Sequence, residues 1–299
     1  MKTLLRNWDV EGHYEFGFGC GFYFSGKRQI TKKGVTTAVP YNHEKQIKTF
    51  EETLAKMASS AKAEGRCPFI IVDDASPVEV EPERIAEIVG ENPMLYLRVD
   101  ENVGVGGKEN ILQRALVDRC KYVLKFDVDV QFDSMPLDKI RKGFKTLADA
   151  WTITTCIAYF ARFEAARLPP GQRYFTSATS SDFLAYRSDV LKQIGFADPA
   201  LRYWEDTEQR LRALAATGLK NYVDSTLVGK SSPSGAGATG KTRDRLVEYI
   251  RASKPFIKVS VPPNGSPRLC LDKKNKDSVK GCFVEALPLA EKLAAKLWR

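Results

Sequence analysis

The stretch VLKFDVDVQF, Val123 to Phe132, closes an apolar run with two carboxylates one residue apart. Strand side chains alternate between faces, so Asp127 and Asp129 would point the same way. Two like charges held that close repel unless something positive lies between them. Carboxylates are hard oxygen ligands, suited to Mg²⁺ or Mn²⁺ ions that also hold a substrate's phosphates. A divalent cation between this D-x-D pair and a substrate's phosphates would remove the repulsion and neutralise the phosphate charge. Taken alone, two exposed aspartates at a strand end would explain the same residues.

Other groups raise the same choice between chemistry and architecture. In WEDTEQ, Glu205 and Asp206 stand at the start of an evident helix. There, acidic side chains meet unpaired N–H groups and the positive end of the helix dipole, which needs no catalysis. Asp73 and Asp74, in IIVDDASP, end another apolar run, and Asp, Ser and Pro also favour a turn. The segment GAGATGKT, Gly235 to Thr242, has the G-x-x-x-x-G-K-[ST] spacing of a phosphate-binding loop. Only 57 residues follow it, and KSSPS separates it from the preceding strand, so a nucleotide hydrolase is rejected. Lys230 and Lys241 remain cations able to reach a diphosphate.

These groups need a scaffold, and the chain between Gly34 and Val228 predicts one. VTTAVPYN reads as a strand and turn, and EKQIKTFEETLAKMASSAKAEG as an amphipathic helix stopped by Gly65. PFIIVDDASP, MLYLRVDEN and KYVLKFDVDV read as strands, with helices PERIAEIVG and GGKENILQRALVDRC between them. Alternating strands and helices with short links give a mostly parallel sheet covered on both faces. Ligands in such sheets bind beyond the carboxyl ends of the strands, where Asp73, Asp74, Asp127 and Asp129 fall. Residues 1–33 fit this pattern poorly: GFGCGFYFSG alternates glycine with aromatics, as a hairpin or flexible lip could. Residues 229–299 read as a glycine-rich loop and a basic helical extension.

The ordered series VPYN, IIVDDAS, ENVGVGGKENILQRAL, LKFDVDV and WEDTEQRLRALAATG resembles the nucleotide-sugar glycosyltransferases of the GT-A fold, the family 2 group above all. The resemblance covers residues 34–228 and implies a Rossmann-like α/β sandwich and an inverting transfer from a nucleotide sugar, UDP-linked by first choice. It implies Mn²⁺ or Mg²⁺ at Asp127 and Asp129, with Asp127 at the donor. Asp73 or Asp74 would contact the nucleoside, and Pro40 and Tyr41 would cradle the base. Asn102 to Lys108 would flank the donor, with Lys108 reaching a phosphate. Asp206 would be the general base and Glu205 would position sugar or acceptor. Asp182 and Arg187, in SSDFLAYRSDVL, would floor the site, although a buried salt bridge between them would serve as well. Many members add a histidine as third metal ligand; this chain has only His13 and His43, both far upstream, so water or a lysine such as Lys230 would take that place.

Composition narrows the setting. The formal charge is +9, and residues 228–299 hold 15 Lys and Arg against 6 Asp and Glu, so that segment carries the whole excess. A solubilising tail or a surface for a polyanion both follow from such a run. Six scattered cysteines without a C-x-x-C pair, and no signal-like or membrane-spanning segment, point to reduced thiols in a cytoplasm, that of the host if the chain is phage-encoded. The first-choice acceptor is therefore DNA carrying a hydroxylated base. A cell-surface or capsule polysaccharide is the alternative, and a non-catalytic nucleic-acid-binding protein is a minor one.

Overall fold

The computed structural model describes residues 2–8, 11–24, 27–32, 35–40, 42–128, 130–131, 137–157, 173–176, 183–231, 240–262 and 267–297. For 27–32, 35–36, 38–40, 131, 155–157, 175, 228–231 and 240 the backbone alone is described. Its central strands are β1 (Lys2–Arg6), β2 (Tyr14–Phe22), β5 (Phe69–Asp73), β6 (Met94–Arg98), β7 (Cys120–Phe126), β9 (Ala150–Ile157), β10 (Tyr174–Thr176), β11 (Phe183–Arg187) and β12 (Lys220–Ser231). They lie in the order β1-β6-β5-β2-β7-β11-β9-β12-β10. The strands β6, β5, β2 and β7 run parallel, as do β9 and β12, while β11 runs against both its neighbours. The α/β class with a mostly parallel sheet is as the sequence predicts. A separate hairpin, β3 (Lys27–Lys32) with β4 (Val35–Pro40), leads into helix α1 (His43–Ala63). Asn42, the last residue of VPYN, caps that helix by accepting from Lys45 N at 3.2 Å.

One element corrects the sequence reading. Residues 17–22, the first part of the GFGCGFYFSG stretch expected to be a hairpin or lip, belong to the central strand β2 (Tyr14–Phe22), paired with β5 on one side and β7 on the other. Its alternation has a packing cause. Phe16, Phe18, Cys20 and Phe22 share one face and enter a core with Phe50, Leu54 and Phe69. Gly17, Gly19 and Gly21 share the other, where α3 (Gly104–Leu116) lies directly on the backbone. A methyl at Gly17 would sit 2.9 Å from Leu116, one at Gly19 3.1 Å from Leu112, and one at Gly21 2.9 Å from Lys108. Those three helix residues are spaced by four, so one helical stripe runs down one glycine stripe.

The remaining α-helices among the described residues are α2 (Pro82–Val89), α4 (Leu137–Thr146), α5 (Ser188–Ile194), α6 (Glu205–Thr217), α7 (Gly240–Ser253) and α8 (Pro288–Leu297). A short strand, β8 (Val130–Gln131), pairs with β12. The basic C-terminal segment is not a loose tail. Helix α7 and the hairpin of β13 (Ile257–Ser260) and β14 (Arg268–Leu271) build a third core with α6 through Leu211, Leu246, Ile250 and Phe256. Helix α8 packs Ala290, Leu293 and Leu297 into the core formed by α3 and the sheet. Polar pins tie the segment down: Asn110 donates to the carbonyls of Ala197 (2.9 Å) and Glu285 (3.0 Å), and its Oδ1 accepts from Leu287 N at 2.8 Å. Lys254 meets Asp198 at 2.7 Å with both side chains buried.

Filling the glycine stripe should be costly. Gly19→Val, where an added carbon meets only Leu112 of α3, is expected to lower unfolding free energy by about 1–3 kcal/mol, the usual cost of overpacking. Gly281→Ala, where an added methyl meets nothing, should stay within about 0.5 kcal/mol. Urea denaturation of the two variants checks this, and equal stability would refute the close approach of α3.

Candidate active site

The carboxyl ends of β2, β5 and β7 form one edge, and the two aspartates after β5 hold it together. Asp73 is fully buried and accepts from Ser76 N (2.8 Å), Arg98 Nη1 (2.8 Å) and the Tyr96 hydroxyl (3.4 Å). The first of these closes the Asx-type turn that its sequence favours. Asp74, 1 % exposed, accepts from Val103 N at 2.6 Å and Gly104 N at 3.1 Å, so it tethers the start of α3. Asn102 Nδ2 reaches the Asp74 carbonyl at 3.2 Å. Gly104 takes φ +74°, a conformation open to glycine at little cost, which lets the backbone turn into α3 around that carboxylate. Burial raises the Asp74 pKa against these hydrogen bonds and the nearby Lys108. Lys108 is half-buried where it passes over Gly21.

At the end of β7 the positive partner of Asp127 is part of the chain itself. Strand alternation puts Val123, Lys125 and Asp127 on the face covered by α3. Lys125 Nζ lies 2.7 Å from Asp127 Oδ1 and 3.3 Å from Glu109 Oε1 of α3. Glu109 is 2 % exposed, and neither of its carboxylate oxygens has a hydrogen-bond partner among the described residues. Burial works against the Lys125 ammonium, but Asp127 and Glu109 outweigh it and hold its pKa well above the usual lysine value. Burial also lifts the Glu109 carboxyl; Lys125 opposes this, and Asp206 and Asp127 add to it.

Glu205 and Asp206 begin α6 on the same edge, buried at 7 % and 6 % exposure. Trp204 precedes them with φ 64°, a left-handed turn that costs a side-chain-bearing residue energy and fixes how the helix starts. Asp206 accepts from Thr207 N at 2.6 Å, and its Oδ2 lies 3.4 Å from Arg210 Nη2. Glu205 differs: burial first, then the charges of Asp206 and Glu109, push its pKa well above the carboxylate range, with Lys125 opposing. Gln113 of α3 and Gln209 of α6 exchange an amide hydrogen bond at 3.1 Å, which locks the two helices together beneath the site. The edge therefore gathers Glu109, Asp127, Glu205 and Asp206 around Lys125 and Arg210.

Other predicted residues fall differently. Tyr41, Asp129, Asp182 and most of the glycine-rich segment lie outside the described residues. Pro40 ends β4 and Lys230 lies in β12 opposite Gln131, each described by its backbone. Lys241 is exposed in the first turn of α7. Arg187 is a correction. Because β11 runs against β7, Phe183 pairs with Phe126 at the carboxyl edge while Arg187 pairs with Tyr122 near the other end. There Arg187 binds Asp189, beside a cavity of about 480 Å³ lined by His13, Arg119, Lys121 and Lys192. That cavity is at the amino edge, away from the acidic cluster. Lys125 and Glu109 escape a motif search, although a lysine two residues before Asp127 in an apolar strand is a visible signal.

The sequence matches no family model and no curated protein. Solved structures are similar to it throughout most of its length. S. aureus TarS, residues 1–349, is 14% identical with a TM-score of 0.54, covering 90% of this chain and 70% of that one; the same protein has been solved with UDP. The mannosyltransferase PcManGT from Pyrobaculum calidifontis, in complex with GDP-Man and Mn²⁺, is 14% identical with a TM-score of 0.55, covering 97% and 75%. GalNAc-T7, with UDP, GalNAc and Mn²⁺, is 11% identical with a TM-score of 0.55, covering 81% and 48%. At these identities the likeness is one of architecture, and the architecture is the GT-A fold of glycosyltransferases.

Proposed function

We propose that the chain is an inverting glycosyltransferase that takes a sugar from a nucleotide donor, UDP-linked by first choice, at the carboxyl edge. The observation that carries this is the convergence of Asp127, from the end of β7, with Glu205 and Asp206, from the start of α6, on one edge. The similar structures support it, since they were solved with UDP or GDP-Man, two of them with Mn²⁺. Asp127 offers a hard oxygen donor and its side chain is 38% exposed. Among the described residues no group of three or more acidic, Cys or His side chains is arranged for a metal. This donor set suits a cation such as Mg²⁺, which keeps waters and takes other oxygens from a diphosphate. Asp127, with Asp129 two residues on, would hold it, and the cation would supply charge neutralisation at the leaving diphosphate. Lys108, Lys230 and Lys241 are assigned to the same diphosphate. Asn102, Pro40 and Tyr41 are assigned to the nucleoside side and Asp182 to the floor; Asp73 and Asp74, expected as nucleoside contacts, are buried and hydrogen-bonded to the chain itself, so they are assigned instead to the frame beneath it.

The two carboxyls of α6 divide the work. Glu205, with its raised pKa, keeps a proton and donates a hydrogen bond to sugar or acceptor. Asp206, beside Arg210, accepts the proton of the attacking hydroxyl, as a base within hydrogen-bond reach can. A base on the face opposite the departing diphosphate gives in-line displacement and inversion.

For the acceptor we infer a hydroxylated base in DNA. Lys273, Lys274, Lys276 and Lys280 are exposed on a C-terminal module anchored to the core, which supports a backbone-tracking surface. Tyr203, 39% exposed just before the acidic pair, offers a ring to a base turned out of its stack. No helix among the described residues is long and apolar enough to cross a membrane. The direct test is nucleoside diphosphate release from a panel of UDP- and GDP-sugars, with and without hydroxymethylated DNA. Stimulation by that DNA supports the base acceptor; stimulation by oligosaccharide alone would replace it with a polysaccharide.

Asp206→Asn should lower turnover by roughly 10²–10⁴-fold, the usual worth of general base catalysis. Glu205→Gln imitates the protonated group and should lose less than about tenfold. The reverse ranking would move the base to Glu205.

The same proton links Glu205 to stability. A carboxyl whose folded pKa is raised binds its proton more tightly when folded, and that advantage is lost as pH rises through the folded pKa. Glu205→Gln should match the wild type near pH 4 and gain on it progressively above the ordinary glutamate value of 4.5. Denaturation midpoints measured across pH check this, and a constant offset would contradict it.

The basic module generates its own test. Reversing the charge of Lys273, Lys274 and Lys276 should flatten the log-linear loss of duplex DNA affinity with salt. Donor hydrolysis should be unchanged. Binding to anionic vesicles in place of DNA would contradict the assignment.

A further inference from the structure

Lys125 is a cation already seated on the carboxylate to which the donor-site metal is assigned. Its ammonium is 2.7 Å from Asp127 Oδ1, its side chain is only 12% exposed, and it stands on β7, paired with β2 and β11. A divalent ion arriving at Asp127 meets that charge at short range. The ammonium nevertheless has somewhere to go. Glu109 Oε1 lies 3.3 Å behind it, and both Glu109 oxygens are buried without a hydrogen-bond partner among the described residues. A lysine has a flexible four-carbon stem and three rotatable donors, so it can shorten one of two contacts while lengthening the other.

We propose that Lys125 is a positioning residue that holds Asp127 before the metal arrives and withdraws onto Glu109 when it binds, so that the Glu109–Lys125 pair sets the metal affinity of the site. The exchange is one of ion pairs: Asp127 gives up the ammonium and takes the cation, and Glu109 takes the ammonium fully. No proton moves and no bond breaks. This explains why a glutamate is buried under a site already rich in carboxylates. The inference rests on the metal assignment to Asp127, and its test separates the two.

Two substitutions have opposite signs. In Glu109→Gln the ammonium loses its charged refuge, so Asp127 is harder to free and Mn²⁺ binds more weakly. In the double variant Lys125→Met with Glu109→Gln the competitor is gone and no charge is left buried alone, so Mn²⁺ binds more tightly. A unit charge about 5 Å from a divalent ion in a water-like medium changes affinity on the order of tenfold, and a change of that size in each direction is expected. The probe is Mn²⁺ alone, titrated into each protein, with the free aqueous ion counted by electron paramagnetic resonance; melting curves verify that each variant is folded. A merely structural pair would shift the melting curves and leave the Mn²⁺ titration in place. Affinities equal within about twofold, or tighter binding by Glu109→Gln, would overturn the role of Lys125. Adding Asp127→Asn to the double variant separates the premises. Loss of its Mn²⁺ binding keeps the metal at Asp127 whatever Lys125 does, and unchanged binding removes both claims.

Discussion

Helix α3 can lie on the sheet because β2 presents it with a row of hydrogens instead of side chains. Gly17, Gly19 and Gly21 leave room for Leu116, Leu112 and Lys108, and everything at the carboxyl edge follows from that approach. It lowers Glu109 onto the Lys125 side of β7 and brings the first turn of α3 over Asp74. It lets Gln113 meet Gln209, which sets α6 and its acidic first turn beside the same edge. Asn110, on the same helix, then pins the C-terminal segment. A strand weakened by three glycines is thus the support on which the site's geometry stands, and aromatic packing on its other face restores the burial that glycine forfeits.

The second constraint is charge. Glu109, Asp127, Glu205 and Asp206 face Lys125 and Arg210, so the cluster holds more acid than base. Burial makes that imbalance expensive, and neutralisation by proton uptake is the usual release. Glu205 and Glu109 are raised by burial and by each other's neighbourhood, while Asp127 keeps Lys125 close and Asp206 keeps Arg210 close. The site thereby favours a proton on Glu205, the acid whose pKa is pushed well above the carboxylate range. A donor diphosphate would bring more negative charge to this edge, and the assigned cation and lysines answer it.

Much of this was legible in the residues. The strands ending at Asp73 and Asp127 are apolar runs closed by acids, so periodicity located that part of the edge, while the acidic pair that starts α6 was brought to it only by the family resemblance. Strand β2 was not legible, because glycine disfavours strands and its use here depends on a helix some ninety residues away in sequence. Arg187 was misplaced because the direction of a single short strand, β11, is invisible to periodicity. Glu109 is one acid in a helical stretch, and its burial depends on how closely α3 lies on the sheet. The C-terminal segment read as a basic helical extension and not as part of the core, since its apolar residues are spread among basic ones and gather only against α6 and α3. Lys125 is the instructive case: the answer to the repulsion at Asp127 stood two residues before it, on the same face.

The central claim is that one edge of the sheet, the carboxyl edge, takes the nucleotide and its cation. The most direct measurement is a crystal structure with UDP and Mn²⁺ bound. The account places the diphosphate and Mn²⁺ at Asp127, between the ends of β2, β5 and β7 and the first turn of α6, with Lys125 turned toward Glu109. Nucleotide bound instead in the cavity beside His13, Arg119 and Lys121, at the opposite edge, would contradict it.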